Sequence, residues 1–213
     1  MSGFQRARHP EQISIRREAL LTAARALFDT EGPQGTSLSA IAAHAGFTKS
    51  NVYRYFESRE DVLLALLLDE FEQLTLAMEQ AIAIREDGDA ALMAEAMTGC
   101  FLAQPRFCQL SSIFASVLEQ NVSEDAIVAV KRRIAALTNR ILAALSAKMP
   151  NAHPGDLGWA FAMTMSLIAG MWPAVHPSAP AAAVMSRPEF INMRLVPERD
   201  LQRSIGALLA SIA

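Results

Sequence analysis

A short stretch near the amino terminus, GFTKSNVYRYF at residues 46–56, carries the side chains best suited to contact a partner. A lysine, an arginine, two tyrosines, a serine and an asparagine surround only two clear core formers, Val52 and Phe56. If those two residues hold a short helix to a core, most of the other side chains face outward. Cationic, hydroxyl and amide groups on one surface suit phosphates and base edges. The stretch therefore predicts a nucleic-acid-binding surface.

Two helices are needed to position this surface. The segment SLSAIAAHAG predicts a helix with Ser37 as N-cap, an apolar face and an end at Gly46. A second short helix comes next, with Thr48 as its predicted cap. A helix, a glycine-containing turn and a second short helix form the helix-turn-helix arrangement, which inserts its second helix into a DNA major groove. The predicted motif spans residues 37–56.

A longer run, LLTAARALFDTEGPQGTSLSAIAAHAGFTKSNVYRYFESREDVL, resembles the amino-terminal domain of the TetR family of transcriptional regulators. The shared features are a first helix ending in LF, TS before the second helix, IAxxAG, and a lysine-bearing recognition helix ending in YxYF. The resemblance covers residues 14–74. It implies base-edge contacts from Lys49, Ser50 and Tyr53. It also implies DNA-backbone contacts from Thr36 or Ser37, Thr48, Asn51, Arg54, Tyr55 and Arg59.

Two positions depart from the family pattern, since Ser50 replaces a usual glycine and Glu57 an often basic residue. The family further implies a divergent helical domain at 75–213 that dimerises through its last two long helices and holds an inducer pocket. The resemblance thus implies a cytoplasmic homodimeric repressor that binds a palindromic double-stranded DNA operator and leaves it when a small-molecule inducer binds. A helical carrier or sensor of hydrophobic molecules without DNA binding is the alternative from another class.

Helical periodicity extends through the rest of the chain and predicts an all-α fold. A long amphipathic helix is expected at 58–83, beginning with Ser58 and Asp61 close to a capping box. Further helices are expected at 89–104, 105–120, 123–149, 155–172 and 198–212. Five prolines within 173–197 predict an irregular loop there.

A dimer interface is predicted on the last two long helices. Small residues recur every four positions at Gly158, Ala162, Ser166 and Gly170, which permits close approach of another helix. The second helix contributes an apolar face: Leu201, Ile205, Leu208, Leu209 and Ile212. Together they could form a four-helix bundle between two subunits.

A ligand pocket is predicted among large side chains on three segments: Met97, Phe101, Phe107, Phe114, Phe161, Met165 and Trp172. Ordinary core packing is the alternative interpretation for each of them. No cluster of basic residues accompanies them, so the expected inducer is mainly apolar. Glu119 is the only acid nearby in the sequence, and it would favour a cationic apolar compound if it points inward.

Composition limits the other classes of function. The formal charge is −3, but residues 1–60 hold eight basic and six acidic side chains, against eleven and sixteen in the remainder. Arg6, Arg8 and His9 suit either a minor-groove arm or a disordered tail. The first residues do not resemble a secretory signal, and the composition of 157–175 favours a buried helix over a membrane span. We expect no metal, no cofactor and no catalytic site. Cys100 and Cys108 leave a redox role open.

Overall fold

The computed structural model describes residues 10–85, 89–120 and 122–213, and within these ranges it contains helices and no strand. In chain order the α-helices are α1 Pro10–Gly35, α2 Leu38–His44, α3 Lys49–Val52, α4 Arg59–Ala83, α5 Ala90–Leu102, α6 Pro105–Ile113, α7 Glu124–Lys148, α8 Pro154–Val175, α9 Ala179–Met185 and α10 Pro197–Ala210. A π-helical turn at Phe114–Leu118 comes after α6, and a 3₁₀ helix at Pro188–Met193 precedes α10. The predicted all-α fold is confirmed.

The chain divides into two compact units. The first contains the described residues up to Leu66 together with Val117–Ile127, and the second contains Leu67–Ser116 and Val128–Ala213. The sequence predicted the domain boundary between residues 74 and 75, eight residues after the boundary between Leu66 and Leu67 in the structure. It also assigned residues 117–127 to the second domain. Because α4 is one continuous helix through Leu66 and Leu67, hydrophobic periodicity alone offers no signal for a boundary there.

The first unit is built around the apolar faces of α1 to α4. Gly32 takes a positive φ of 69° before Pro33, so the helical run of α1 is broken at this position. Its core includes Leu20, Leu21, Phe28, Ile41, Val52 and Phe56, each at most 2 % exposed. Arg17 of α1 also lies over the Phe56 ring, with Cζ 5.2 Å from the centroid. The short helices α2 and α3 are thus fixed by burial against longer ones.

The second unit is a bundle in which α10 packs on α5 and α8, and α8 packs on α6. Ion pairs join α4 to α7. Arg140 binds both Glu72 and Glu79, at 2.5 and 2.6 Å, and Arg133 also binds Glu72. The guanidinium hydrogen bond from Arg140 holds the pKa of the Glu79 carboxyl below its ordinary value. These contacts anchor the carboxyl-terminal half of α4 within this unit.

The segment between α8 and α10 differs from the predicted irregular loop. Helix α8 continues through Pro173 to Val175, and α9 and the 3₁₀ helix occupy much of the chain between Val175 and the start of α10. Prolines at the start of each short helix explain the difference, because proline is well accommodated in a first helical turn. Neither short helix buries a residue. Proline content therefore did not predict the secondary structure of this segment.

Candidate nucleic-acid interface and ligand cavity

The turn between α2 and α3 has the geometry of a helix-turn-helix motif. Ser37 caps α2, with its Oγ accepting a hydrogen bond from the Ala40 amide at 3.2 Å. Gly46 takes a φ of 70°, and the Phe47 amide donates to the Ala42 carbonyl at 2.8 Å, which reverses the chain. Val52 is fully buried and anchors α3. The positive φ at Gly46 favours glycine over any residue with a Cβ.

The outer face of α3 carries the predicted base-reading residues. Lys49, Ser50, Tyr53 and Arg54 are all exposed, whereas Asn51 and Tyr55 are half-buried. The Lys49 Nζ lies 5.8 Å from the centroid of the Tyr53 ring. Helix α3 ends at Val52, but hydrogen-bonded turns continue to Phe56, whose amide donates to the Val52 carbonyl at 3.1 Å. The four exposed side chains therefore project from one short, anchored element.

Two hydroxyl assignments from the sequence need correction. Thr36 is fully buried, and its hydroxyl donates to the Gly32 carbonyl at 2.9 Å, so Thr36 is not available for a DNA-backbone contact. Ser37 is exposed and remains the candidate of that pair. Thr48 is exposed and is the N-cap residue of α3, but its side chain makes no cap hydrogen bond, and its hydroxyl lies 3.2 Å from that of Ser50.

The start of α4 combines a helix cap with a competing ion pair. The Asp61 amide donates to Ser58 Oγ at 3.0 Å, and the Asp61 carboxylate accepts from the Glu57 amide at 3.2 Å, close to the predicted capping box. Burial raises the Asp61 pKa above its ordinary value, despite this backbone hydrogen bond. Arg59 donates to one oxygen of the buried Glu60, from Nε at 3.0 Å and from an Nη at 2.7 Å. Arg59 is therefore partly committed to a protein carboxylate.

Comparison with known proteins agrees with this geometry. Residues 20–66 match the family described as bacterial regulatory proteins, tetR family, and residues 68–212 match the tetracyclin repressor-like C-terminal domain. The chain belongs to the TetR family. The matches cover the helix-turn-helix region and the helical carboxyl-terminal domain, as the sequence predicted for a member of this family.

Relatives and solved structures are consistent with the assignment. An HTH-type transcriptional regulator of Mycobacterium tuberculosis is 35% identical over 78 residues, covering 35% of this chain and 33% of that protein. A transcriptional regulator from Rhodococcus sp. RHA1 superposes with a TM-score of 0.63 at 18% identity, covering 92% of this chain and 94% of that one. A TetR/AcrR-family regulator from Thermobifida fusca superposes with a TM-score of 0.57 at 23% sequence identity. This superposition covers 93% of this chain and 99% of that one. The structures support the fold, whereas the curated relative is matched over a third of its length.

The second unit of this TetR-family regulator contains an apolar cavity of about 300 Å³. Its lining comprises Leu67, Phe71, Phe107, Ser111, Phe114, Ala115, Ile134, Thr138, Met165, Ser166 and Ala169. Phe71 and Phe107 stack with centroids 5.1 Å apart and form one aromatic wall. No charged side chain is among these described wall residues, so the site favours apolar contact with a few hydroxyl groups.

The predicted pocket residues are only partly brought together. Phe107, Phe114 and Met165 line the cavity, whereas the other four do not. Met97, Phe101 and Phe161 are at most 3 % exposed and Trp172 is 8 % exposed, with its ring stacked on His176 at 4.1 Å. These four residues have the core-packing role that the sequence left open. The α4 and α7 wall residues were missed because their spacing is that of any amphipathic helix.

Both cysteines are buried in the second unit. Burial raises the pKa of Cys100 above its ordinary value, and it raises the pKa of Cys108 to about 12. The Cys108 thiol donates to the Phe101 carbonyl at 3.4 Å. Because the thiolate is the reactive species, this environment favours an inert structural thiol at Cys108.

Some residues of the predicted dimer face are exposed in the structure, and others are buried within the single chain. Ala162, Ser166 and Gly170 are exposed on α8 and Gly158 is half-buried. In α10, however, Leu201, Ile205 and Leu209 are at most 2 % exposed within the single chain, where α10 packs on α5 and α8. These three residues are therefore core residues rather than free interface residues. Leu208 and Ile212 remain half-buried.

A shallow apolar groove between α8 and α10 presents a different set of residues. It is lined by Trp159, Met163, Ser166, Leu167, Ser204, Ala207, Leu208 and Ser211. Trp159 is 48 % exposed and Met163 and Leu167 are each 38 % exposed. Among the described helices, α8 is also the one long and apolar enough to cross a membrane by length and composition. Its inner face packs on α6 and α10, whereas its outer face is exposed, so the buried helix expected from the sequence is buried on one face only.

Proposed function

We propose that this regulator is a homodimeric repressor that binds a palindromic operator through two copies of α3. The observation that carries the proposal is the exposed set Lys49, Ser50, Tyr53 and Arg54 on the anchored second helix of the motif and the turn that follows it. Lysine and tyrosine suit base edges in the major groove, and the arginine suits phosphate. Ser37, Thr48, Asn51, Tyr55 and Arg59 are the proposed supporting contacts to the DNA backbone. A cytoplasmic location is expected from the operator partner.

Dimerisation through the α8 and α10 groove is the second part of the proposal. The chain has no aspartate, glutamate, lysine or arginine from Leu157 to Ser186. Depletion of charge around large exposed apolar side chains is typical of the centre of a protein interface. The corrected set is Trp159, Ala162, Met163, Ser166, Leu167 and Gly170 on α8, with Ala207, Leu208 and Ser211 on α10. A two-fold interface of this kind presents two α3 helices to two half-sites.

Release by a mainly apolar ligand is the third part. Leu67 and Phe71 line the cavity and belong to α4, which runs without interruption from Arg59 at the end of the DNA-binding motif. A ligand that favours one position of α4 therefore acts on an element shared by both units. Two half-sites must be contacted together, about 34–36 Å apart, so a small change in the spacing of the two α3 helices weakens joint binding.

Gel retardation on the DNA upstream of the gene tests the repressor proposal. We expect the purified protein to retard this DNA with an affinity that falls steeply as salt rises, because phosphate contacts release counterions. Lys49→Ala should weaken binding, whereas Lys131→Ala, a lysine change on α7, should not affect DNA binding in the absence of ligand. Selection of bound sequences from random DNA should yield an inverted repeat. Absence of binding across salt concentrations, with a correctly folded dimer, would favour the carrier or sensor alternative.

A further inference from the structure

The cavity of the second unit and the groove between α8 and α10 meet at one residue, Ser166. Ser166 lines the cavity together with Met165 and Ala169 of the same helix. It also lines the groove, together with Met163 and Leu167. Around the 3.6-residue turn of α8, Met165 and Ala169 lie on one side of Ser166, and Met163 and Leu167 lie on the other. The cavity therefore borders directly on the surface proposed for dimerisation.

The cavity is closed at its inner end and open at its outer end within one chain. At the inner end Leu67, Phe71 and Phe107 are each at most 3 % exposed. At the outer end the wall residues Ala115 and Ser166 are exposed, and both side chains are small. Small-molecule sites bury roughly 70–90% of the ligand surface. An apolar ligand in this cavity therefore needs a further cover over the end at Ser166.

The proposed dimer face brings a second subunit to this end of the cavity. Ala162, Ser166 and Gly170 are exposed and follow one another along α8 at intervals of four residues. The axes of packed helices lie roughly 8–10 Å apart, and small side chains favour the lower end of that range. The Ser166 hydroxyl donates to the Ala162 carbonyl at 3.0 Å, so it brings no unpaired donor to an apolar contact. A helix packed on this face lies within side-chain reach of the cavity opening.

We propose that the second subunit closes the cavity, so that each ligand site is formed by two copies of the chain. This inference rests on the function proposed above and names the partner that completes its ligand site. A ligand in the cavity then contacts the dimer interface as well as α4, and it acts directly on the relative position of the two subunits. Because contacts from the partner add to ligand binding, the ligand must strengthen the dimer by the same factor.

Labelling of Ser166→Cys with iodoacetamide tests whether the opening is covered in the dimer. The full-length variant is diluted through the dimer dissociation constant measured by sedimentation. Labelling should be at least about tenfold slower in the dimer than in the dissociated chain, because a covered site reacts only when the cover opens. Both native cysteines are buried, and labelling of the wild type measures their background. Ala135→Cys is the matched control, since Ala135 is exposed on α7 and lines neither the cavity nor the groove. Its labelling rate should not depend on protein concentration.

The neutral probe 1-decanol tests the reciprocal effect on dimerisation. Calorimetry establishes that decanol binds, and sedimentation then compares the dimer dissociation constant without decanol and at saturation. Burial of one further methylene group under the partner corresponds to about a fourfold gain in affinity for each cavity. Because the dimer has two cavities, its dissociation constant should fall by about 16-fold.

The possible results distinguish this inference from the function on which it rests. A protein that stays monomeric contradicts both. A dimer in which Ser166→Cys is labelled as fast as in the dissociated chain overturns the shared site, but it leaves the dimer and its apolar ligand in place. Binding of decanol with an unchanged dimer dissociation constant overturns it as well. Failure of decanol to bind contradicts the proposed apolar ligand, and the labelling result then decides the shared site alone.

Discussion

Replacement of Gly170 by leucine gives a sharp test of the proposed dimer face. Gly170 is exposed on α8, and a Cβ built at this position meets no heavy atom within 4 Å. The first added carbon therefore meets no clash inside one chain. It should also favour the helix by up to about 1 kcal/mol, because glycine is a poor helix former. Any loss must come from a second subunit approaching α8.

The expected size of the loss depends on the symmetry of the interface. A bulky side chain forced into a close helix contact costs about 1–3 kcal/mol. In a two-fold interface the substitution is present in both subunits, so the dimer loses about 2–6 kcal/mol. At ~1.4 kcal/mol for each tenfold change, the dimer dissociation constant should rise by roughly 30-fold to more than 10,000-fold.

Sedimentation equilibrium over a dilution series measures this change, with Gly99→Leu as the matched control. Gly99 is an exposed glycine within α5, and a Cβ there also meets nothing within 4 Å. Both variants gain the same helix propensity, but only one lies on the proposed face. We expect Gly99→Leu to keep the wild-type dissociation constant. If the two variants dimerise equally well, the α8 surface is not the interface.

Four further outcomes are expected. Tyr53→Phe should weaken operator binding by about 1–3 kcal/mol for each of the two subunits with an unchanged melting temperature, and a large melting shift would assign Tyr53 to the core instead. Arg54→Ala should lower affinity on every DNA sequence and reduce the slope of log K against log salt by about 1.8, because each of the two subunits loses one phosphate contact, and a change in sequence preference with an unchanged slope would exclude the phosphate role. Because the folded-state pKa of Glu79 is lowered, its ion pair stabilises the fold above the ordinary glutamate pKa of about 4.3 and this contribution is lost as pH falls through the lower folded value. The difference in unfolding free energy between wild type and Glu79→Gln should therefore shrink below pH ~4.3, and a pH-independent difference would contradict the pairing. Cys108, whose pKa burial raises to about 12, should resist iodoacetamide at pH ~8 until the protein is unfolded, and rapid labelling of the native protein would reopen a redox role.

The fold of the motif was accessible from sequence because its determinants are local. Ser37 and Gly46 mark the ends of α2 by capping and by a positive φ. Val52 and Phe56 are buried by the same spacing that leaves Lys49 and Tyr53 exposed. Each of these outcomes depends on residues within about one helical turn of the position concerned. Family membership and the all-α class are predictable from such local patterns repeated along the chain.

Hydrogen bonding was less accessible, because a side chain's partner depends on the packing of its neighbours. Thr36 and Ser37 are adjacent hydroxyl residues before the same helix, yet Thr36 bonds the Gly32 carbonyl in the core and Ser37 caps α2. Arg59 lies where a phosphate contact was expected, but the buried Glu60 binds it. Sequence restricted the candidates, and the three-dimensional arrangement chose among them.

The surfaces of the second unit required the tertiary structure. Periodicity identified Leu201, Ile205 and Leu209 as one apolar face of α10, but it carries no information about which element covers that face. Other helices of the same chain cover that face of α10. The exposed apolar side chains are instead Trp159, Met163 and Leu167 of α8. The cavity likewise exists where side chains from α4, α6, α7 and α8 fail to fill the space between them. Sequence alone determined which residues prefer burial, whereas packing between distant segments decided what buries them and where a void remains, because that outcome depends on the shapes of several helices at once.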